Sequence, residues 1–227
     1  MPTSFVEGQH DWGFRISEAN GMRSRETITI AQSGSERTIE AGRLLGRIRG
    51  AVGEAAAFAA ATDGRNNTGN GVISPVAVAL PGAKEGTYKL VITEPGANVG
   101  TFLLFDPDGL IVGSGAVATV YAGPHLAFTL ADGSTDFVAG DGFNIVVAAG
   151  TKYSEWDEDA SNGTEIPAAI LGPTIVVPAA ADVKAGAIVR DAEVNAAEIK
   201  WPASGTDAAE KAAALSKLMK ATGIIAR

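Results

Sequence analysis

The stretch AIVRDAEVNAAEIKWP, residues 187–202, is a motif-bearing block near the end of this chain. Its first residues, Ala187-Ile188-Val189, continue an apolar run that starts at Ala185, and this pattern predicts a strand leading into Arg190. The stretch then passes through Ile199-Lys200 to Trp201-Pro202. A strand that ends in a charged turn and leads to a Trp-Pro pair indicates a folded module whose C-terminal part is strand-rich.

A single helix is predicted after this stretch, from about Asp207 to Ala221. Asp207 and Glu210 have the spacing of a capping box, and Gly223 has the position of a C-terminal stop. Four apolar residues are expected to form a stripe along one face of the helix, because they recur at helical spacing. They are Ala212, Leu215, Leu218 and Met219. The stripe should pack on a sheet or on a neighbouring subunit.

Two further motifs lie near the other end of the chain: SEANGMRSRE, residues 17–26, and AGRLLGRI, residues 41–48. Residues 26–31 alternate β-branched and polar side chains, the period of a half-buried strand. Short apolar runs between glycines and prolines predict more strands in both terminal parts. These runs are residues 44–48, 168–171, 174–177 and 185–189.

The amino-acid composition and the spacing of turns change between about Gly50 and Gly150. Seven short runs rich in Val, Ala, Leu and Thr are separated by Gly and Asp turns, the spacing typical of a β-sandwich or barrel. The runs are residues 72–78, 86–93, 101–105, 110–112, 117–120, 126–130 and 143–147. Asp106-Pro107-Asp108-Gly109 predicts a hairpin turn, and residues 55–62 are a candidate short helix. The two ends of this insert must lie close together if the terminal parts form one folding unit.

The predicted fold class is mainly β, a β-rich α+β chain. It comprises a small β-barrel-like module with a C-terminal helix, interrupted by an antiparallel β-sandwich-like domain. The predicted boundaries are a flexible N-terminal arm at 1–16, a discontinuous module at 17–50 plus 150–227, and the insert at 51–149. The 28 glycines and 10 prolines among 227 residues favour strands over long helices.

Charge and composition exclude several classes of function. The net charge is −8, and the acidic excess lies mostly between residues 51 and 150, so a phosphate backbone would be repelled and no nucleic-acid partner is expected. No apolar run is long enough for a membrane helix, so no membrane partner is expected. The N-terminus lacks the pattern of a secretory signal, and the protein is expected to stay in the cytoplasm where it is made.

Catalytic chemistry is not expected. The chain has no cysteine and two histidines, His10 and His125, without a nucleophile elbow, a zinc motif or a phosphate loop. Residues 157–168 have the alternate acidic spacing of a calcium loop, but Asn162 and Ala168 stand where Gly and Glu are needed, and a solvated turn is the better interpretation. No catalytic residue, metal or cofactor is predicted.

With the insert set aside, the two ends resemble the head decoration proteins of lambda-like tailed bacteriophages. The resemblance covers about 125 residues in two pieces, and the block from Arg190 to Pro202 is its most specific part. The order of features also agrees, from the Trp156-Asp157 turn to the final helix. The residues that carry the family motif are Ser17, Asn20, Arg23, Arg25, Arg190, Asp191, Trp201 and Pro202.

The resemblance implies a structural virion protein without enzymatic activity. Such a protein binds the outer surface of the expanded phage head as a homotrimer and cements the lattice of the major capsid protein. By analogy, the N-terminal arm would order on the capsid and add a strand to a sheet edge. The residues expected to contact the capsid are Phe5, Val6, Trp12, Phe14 and Ile16.

Two other functions remain open at this stage. In one, the insert is a virion surface module that contacts host-surface glycans or other ligands, with Tyr88, Tyr121 or Phe128 as stacking platforms; the same rings are equally placed to be core. In the other, the chain is a tail or baseplate β-protein, a hypothesis that gives no account of the Arg190 to Pro202 block.

Overall fold

The structure is a computed structural model and describes residues 10–74, 77–202 and 207–227. Its chain divides into two compact units. Unit 1 combines the described residues up to Ile48 with those from Thr151 to Arg227, and unit 2 is Arg49–Gly150. Strands dominate both units, so the predicted mainly β fold class is confirmed.

The elements follow in chain order. The N-terminal part of unit 1 contains β1 (Arg15–Glu18), β2 (Arg25–Ile30), β3 (Arg37–Ile39) and β4 (Leu44–Ile48). Unit 2 contains β5 (Ala56–Ala57), the one-turn helix α1 (Ala60–Asp63), β6 (Val72–Ile73), β7 (Val78–Ala79), β8 (Gly86–Gly96), β9 (Val99–Phe105), β10 (Ile111–Ala116), β11 (Val120–Ala122), β12 (Leu126–Ala131) and β13 (Gly142–Val147). The C-terminal part of unit 1 contains β14 (Lys152–Glu155), β15 (Pro167–Leu171), β16 (Ile175–Val177), β17 (Val183–Ile188), β18 (Ala192–Val194), α2 (Ala208–Thr222) and β19 (Ile225–Ala226).

Unit 1 is built around a closed barrel with strand order β14-β2-β17-β15-β4. β2 shows why the sequence forms it: Ile28 and Ile30 are buried, while Thr27 and Thr29 are more exposed. The period of two places one set of side chains inside the barrel. β14 runs parallel to β2 and the other neighbouring pairs are antiparallel.

A second core of unit 1 lies under a three-stranded sheet of order β1-β18-β19. Phe14, Trp156 and Leu218 are buried together in it. Helix α2 begins with the predicted capping box between Asp207 and Glu210 and ends at Gly223, which takes the left-handed conformation at φ 74°. The helix packs on β15. Its buried face is centred on Ala214 and Leu218, whereas Ala212 and Met219 of the predicted stripe are exposed.

The chain leaves and re-enters unit 1 at neighbouring points. Ile48, the last residue of β4, pairs with Lys152, the first residue of β14. Within unit 2 the two ends are also paired, because Val52 bridges to Val147 and the Ala148 amide donates to the Ala51 carbonyl at 3.0 Å. In the sequence, unit 2 is therefore the segment that connects β4 with β14, two paired strands of the barrel.

Unit 2 has two sheets over one shared core. One sheet has the order β10-β9-β8-β13-β5, and the other has β11-β12-β6 with β7 also paired to β12. The predicted turn at residues 106–109 closes the β9–β10 hairpin, with the Asp106 carboxylate accepting the Asp108 and Leu110 amides at 3.0 and 2.9 Å. The candidate helix at residues 55–62 is wrong for its first half, since Ala56 and Ala57 pair with β13 and only one helical turn follows.

The core of unit 2 contains the rings proposed as glycan platforms. Tyr88 is fully buried, and Tyr121 and Phe128 keep 7% and 3% of their surface exposed. Phe102, Tyr121 and Phe128 form a cluster with ring centroids 5.0 to 5.7 Å apart. These rings cannot stack on a ligand at the surface, because they fill the space between the two sheets.

The described residues include no helix that is both long and apolar enough to cross a membrane.

Candidate functional site in unit 1

The N-terminal segment of unit 1 is fixed to the barrel by Trp12. Its amide donates to the Gly172 carbonyl at 3.0 Å, and the Thr174 amide donates to the Asp11 carboxylate at 2.8 Å. Trp12 has φ 62°, a left-handed conformation that costs a non-glycine residue about 1–2 kcal/mol. The contacts of this segment must therefore outweigh a local backbone strain.

The indole of Trp12 sits in a notch made by two glycines. A Cβ atom added at Gly172 would overlap the ring, and one at Gly186 would lie 3.0 Å from it. On the ring, the Arg25 guanidinium carbon lies 4.5 Å from the centroid, a cation–π contact. Only a residue without a side chain leaves room for the indole at position 172. We call Trp12 with Gly172, Gly186 and Arg25 the Trp12 anchor.

Arg25 is held over the ring by Glu18. The Glu18 carboxylate accepts from Nε and Nη2 of Arg25, both at 2.7 Å, and pairs with Arg15 at 2.5 Å. The hydrogen bond from Arg25 lowers the pKa of Glu18, and that from Glu18 raises the pKa of Arg25. A bidentate pair of this kind fixes the plane of the guanidinium.

The predicted arm is corrected for residues 10–16. Phe14 is fully buried in the core of unit 1, and its carbonyl accepts the Asn195 amide at 2.7 Å. Arg15 and Ile16 already belong to β1, which pairs with β18. Phe14 therefore has no surface to offer to a capsid, and the hydrophobic effect keeps its ring inside the module.

The remaining residues expected at the capsid differ in position. Ile16 is 54% exposed, on the edge strand of its sheet. Trp12 is partly exposed at the anchor. Phe5 and Val6 lie outside the described residues. Of the residues whose positions are described, Ile16 and the Trp12 anchor thus remain candidates for contact.

Ser24 joins the two motif blocks from opposite ends of the chain. Its side chain is fully buried; the hydroxyl donates to the Asp191 carbonyl at 2.7 Å and accepts the Ala19 amide at 3.0 Å. The Val189 amide donates to the Ser24 carbonyl at 2.9 Å. The loop after β17 is thereby fastened to the turn before β2.

The arginines of the motif surround this junction at the surface. Arg23 pairs with Asp191 at 2.9 Å, and Arg190 pairs with Glu26 while it also donates to the Arg23 carbonyl at 2.9 Å. Each arginine side chain remains at least 40% exposed. The four groups form a surface network across the two chain ends, and pairs this exposed contribute up to about 1 kcal/mol each.

The outer face of the three-stranded sheet continues this surface. Ser17 donates to the Glu193 carboxylate at 3.1 Å, and Arg227 donates to the same carboxylate from Nη2 at 2.6 Å. Hydrogen bonds from Arg227 and then Ser17 lower the pKa of Glu193. Asn20 is exposed in the 3-10 turn Asn20–Met22, which also carries Met22, 66% exposed.

Trp201 lies apart from the arginine network and belongs to the core under α2. Its ring meets Trp156 edge to face at 5.8 Å between centroids, and its carbonyl accepts a hydrogen bond from Arg43. The next residue back, Lys200, exchanges backbone hydrogen bonds with Gly42 and Leu44 at 2.9 and 3.2 Å. The motif of residues 41–48 is thus bonded to the end of residues 187–202. Pro202 follows, half-buried.

Three residues of the site were missed by the sequence prediction: Ser24, Gly172 and Gly186. Ser24 carries no local signal of burial, because the carbonyl that accepts its hydroxyl, that of Asp191, is 167 residues away in the sequence. The glycines carry only a turn signal, and nothing in the sequence shows that an indole fills the space above them. The signals that could be found, the arginines and Asp191, belong to the surface network.

The acidic loop that follows β14 was weighed as a calcium loop in the sequence. No group of three or more histidine, aspartate or glutamate side chains is close enough to hold a metal ion in the described part of the chain. In the acidic loop after β14, the Asp157 carboxylate accepts the Asp159 amide at 3.1 Å, and the Asn162 side chain accepts from Thr164. These carboxylates and amides close the loop on itself.

The fold and the site define a strand-rich structural protein in which two distant chain segments are locked into one barrel module by motif residues. The chain belongs to the bacteriophage lambda head decoration protein D family, whose model matches residues 4–224. It is therefore a structural component of a phage head. The resemblance predicted from the two terminal blocks is confirmed.

Other comparisons add little. No curated protein matches the chain. Two crystal structures of Xanthomonas campestris FlgL, in space groups H3 and C2, are similar to it at 21% identity over 48% of its length. The match spans about a third of those proteins, 34% and 33%, with a TM-score of 0.30 in both cases. A likeness at that level carries no argument about fold or function.

Proposed function

We propose that this protein binds the outside of the expanded phage head as a homotrimer and cements the lattice of the major capsid protein, without enzymatic activity. The family match over residues 4–224 carries this proposal, because it includes both ends of the chain. In the host cytoplasm the protein would fold before heads expand. Unit 1 would supply the contact with the capsid, and unit 2 would be an inserted domain.

The Trp12 anchor supports a specific role for the N-terminal residues. It fixes the chain at residues 11–14, so the residues before it start from a defined point on the barrel surface. Next to it, β1 is the edge strand of its sheet and carries the exposed Ile16. An edge strand beside a fixed point suits strand addition, in which backbone hydrogen bonds give affinity and side chains give specificity.

The proposal also gives a physical reason for a trimer. A short segment that orders on a partner loses conformational entropy, so one copy binds weakly. Three linked copies raise the effective concentration of the second and third contacts and increase avidity by about 10²- to 10⁴-fold. The chain contains no cysteine, so packing and assembly must provide its stability on the head.

The test compares three proteins on expanded and on immature heads, with bound protein measured by sedimentation and electron microscopy. The full chain should bind expanded heads in groups of three and leave immature heads bare. Deletion of residues 1–9 should abolish binding and leave the thermal unfolding of both units unchanged. Equal binding by the truncated chain would contradict the role of the N-terminal segment.

The matched control removes unit 2 instead. Residues 49–151 are replaced by Asn-Gly, because Ile48 and Lys152 are paired across the gap and a two-residue turn can join them. This variant should still bind expanded heads. Loss of binding with an intact unit 1, judged by circular dichroism and hydrogen exchange, would transfer the capsid contact to unit 2.

A further inference from the structure

The chain contains three Asn-Gly pairs: Asn20-Gly21, Asn70-Gly71 and Asn162-Gly163. An asparagine before glycine is chemically reactive, because glycine has no Cβ to shield its backbone nitrogen and leaves the backbone free to bring that nitrogen to the asparagine side chain. All three asparagines are exposed, so exposure does not separate them. The pairs consist of the same two residues, and a difference in reactivity between them must come from the folded structure.

The side chain of Asn70 is held at both ends by hydrogen bonds. Its oxygen accepts the Thr135 amide at 2.9 Å, and its nitrogen donates to the Ser134 hydroxyl, also at 2.9 Å. The next residue, Gly71, is buried, and a Cβ added there would overlap the Ala131 carbonyl. The Asn70 side chain therefore cannot turn toward the Gly71 nitrogen until both hydrogen bonds break.

The pair at Asn162 is held on both sides of the bond that would react. The Asn162 oxygen accepts from the Thr164 amide at 3.1 Å and from the Thr164 hydroxyl at 2.7 Å. The glycine nitrogen is engaged as well, because the Gly163 amide donates to the Glu165 carboxylate at 2.7 Å and Gly163 is buried. Neither reacting group can reach the other without losing a contact.

Asn20 lacks such restraints. In the described part of the chain, no hydrogen bond joins its side chain to another group. It begins the single 3-10 turn Asn20–Met22, where the preceding Ala19 gives no side-chain cap, and Met22 takes the costly left-handed conformation at φ 62°. A single 3-10 turn has weaker hydrogen-bond geometry than an α-helix. The turn should therefore open easily enough for the Asn20 side chain to reach the next nitrogen.

We propose that Asn20 is a site of spontaneous deamidation. The Gly21 nitrogen attacks Cγ of Asn20, a bond forms between these two atoms, and the nitrogen gives up its proton while the side-chain amide leaves as ammonia. The product is a cyclic succinimide. Water then adds to one of its two carbonyls and opens the ring, which yields aspartate or isoaspartate. Water is the only co-reactant, and nothing is oxidised or reduced.

The position of Asn20 gives this modification a structural effect. The Ala19 amide donates to the Ser24 hydroxyl at 3.0 Å, and the same hydroxyl donates to the Asp191 carbonyl at 2.7 Å. In isoaspartate the main chain runs through the former side chain, which adds one carbon to the segment between Ala19 and Ser24. The longer segment should disturb the hydrogen bonds that join the two ends of the chain at Ser24.

The first experiment follows all three pairs in the folded chain during incubation at mildly alkaline pH. Trypsin cleaves after lysine and arginine and leaves the pairs on separate peptides, residues 16–23, 66–84 and 153–184. Deamidation raises the mass by about 1 Da, because OH replaces NH₂, and fragment spectra assign it to a residue. Asn20 should react at least about tenfold faster than the other two, at which two hydrogen bonds must break first. Equal rates, or no reaction at Asn20, overturn the proposal.

Two controls test whether the fold causes the difference. In denaturant the three pairs should react at similar rates, because their hydrogen bonds are lost; a preference for Asn20 that persists there would assign it to the sequence and contradict the structural argument. Ser134→Ala removes one partner of Asn70. This variant should raise the rate at Asn70 several-fold and leave that at Asn20 unchanged, whereas an unchanged rate at Asn70 would contradict protection by the hydrogen bonds.

The structural effect is tested by calorimetry on fresh and incubated protein. After incubation, unit 1 of the wild type should unfold about 2–8 °C lower, the shift expected for the loss of one hydrogen bond. Asn20→Gln is the matched control, because its amide lies one methylene further from the Gly21 nitrogen and closes the ring more slowly. An unchanged unfolding temperature of modified wild type would contradict the effect at Ser24. None of these measurements uses phage heads, so their outcome is independent of the proposed function.

Discussion

The two units of this chain differ in how far apart in the sequence their contacting segments lie. Unit 1 combines two segments separated by 102 residues, which share its hydrophobic cores. Polar contacts also join them: Ser24 is buried against Asp191, and the backbone of Lys200 is bonded to Gly42 and Leu44. Unit 2 is one continuous segment, and many of its strands pair with their neighbours in sequence around an aromatic core. Local pairing is formed with little loss of chain entropy, whereas joining distant ends is slower. We therefore expect the inserted unit to fold without the module that carries it.

The largest expected effect is a loss of stability confined to one unit at a time. Phe14→Ala and Phe102→Ala both remove a ring without exposed surface, one from each unit. Each should lower the free energy of unfolding of its own unit by about 3–5 kcal/mol. Calorimetry should show one transition shifted and the other unchanged, in opposite order for the two variants. A common shift of both transitions would mean that the units unfold together.

A smaller effect is expected at the buried carboxylate of unit 2. Asp141 has no exposed surface and accepts the amides of Thr68, Gly69 and Val138 at 3.1, 2.8 and 3.1 Å, with Arg65 at 3.0 Å. Asp141→Asn keeps the shape but replaces half of the acceptors by a donor, and should cost unit 2 about 3 kcal/mol. The exposed Asp136, which accepts one amide, serves as the control.

Denaturant titration would measure both variants. Asp136→Asn should stay within about 1 kcal/mol of the wild type, since its loss exposes one amide to water. Comparable losses of stability at positions 136 and 141 would mean that the hydrogen bonds of Asp141 do not stabilise unit 2 more than the single bond of Asp136. Unit 1 should be unaffected by either change.

The Trp12 anchor offers a test confined to unit 1. Gly172→Ala places a Cβ where the indole now lies and should destabilise unit 1 by about 1–3 kcal/mol and weaken binding to heads. In the background of Trp12→Ala the same change should cost much less, because the overlap is gone. A double-mutant cycle on stability and on head binding measures this coupling. Additive effects would mean that the ring and the glycine do not depend on each other.

The smallest expected effect concerns the ion pair between Glu18 and Arg25 in unit 1. Because Arg25 lowers the pKa of Glu18 below its ordinary value of 4.5, the ionised carboxylate stabilises the folded state above that value. This stabilisation is lost as the pH falls through the lower folded pKa. The free energy of unfolding of the wild type, measured by denaturant titration, should exceed that of Glu18→Gln by up to about 1 kcal/mol at neutral pH. The difference should vanish in strong acid. A difference that does not change with pH would exclude the ion pair as its cause.

Much of the local structure follows from the sequence. The capping box at Asp207 and the glycine at 223 place helix α2 within one residue at each end, because caps are made by neighbouring residues. The turn at residues 106–109 is fixed by the carboxylate of its own Asp106. The candidate helix at residues 55–62 failed because Ala56 and Ala57 gain more from pairing with β13 than an alanine run gains from one turn.

The strand-rich class, the terminal helix and the family could all be predicted from the amino-acid sequence. The burial of Phe14 in the core, the seat of the Trp12 ring on Gly172 and the burial of Ser24 against Asp191 became visible only in the folded structure. The difference arises from the distance in the sequence between the residues that make each feature. Caps, turns and alternation are made by residues a few positions apart, whereas a notch or a sheet face exists only when register brings distant strands together.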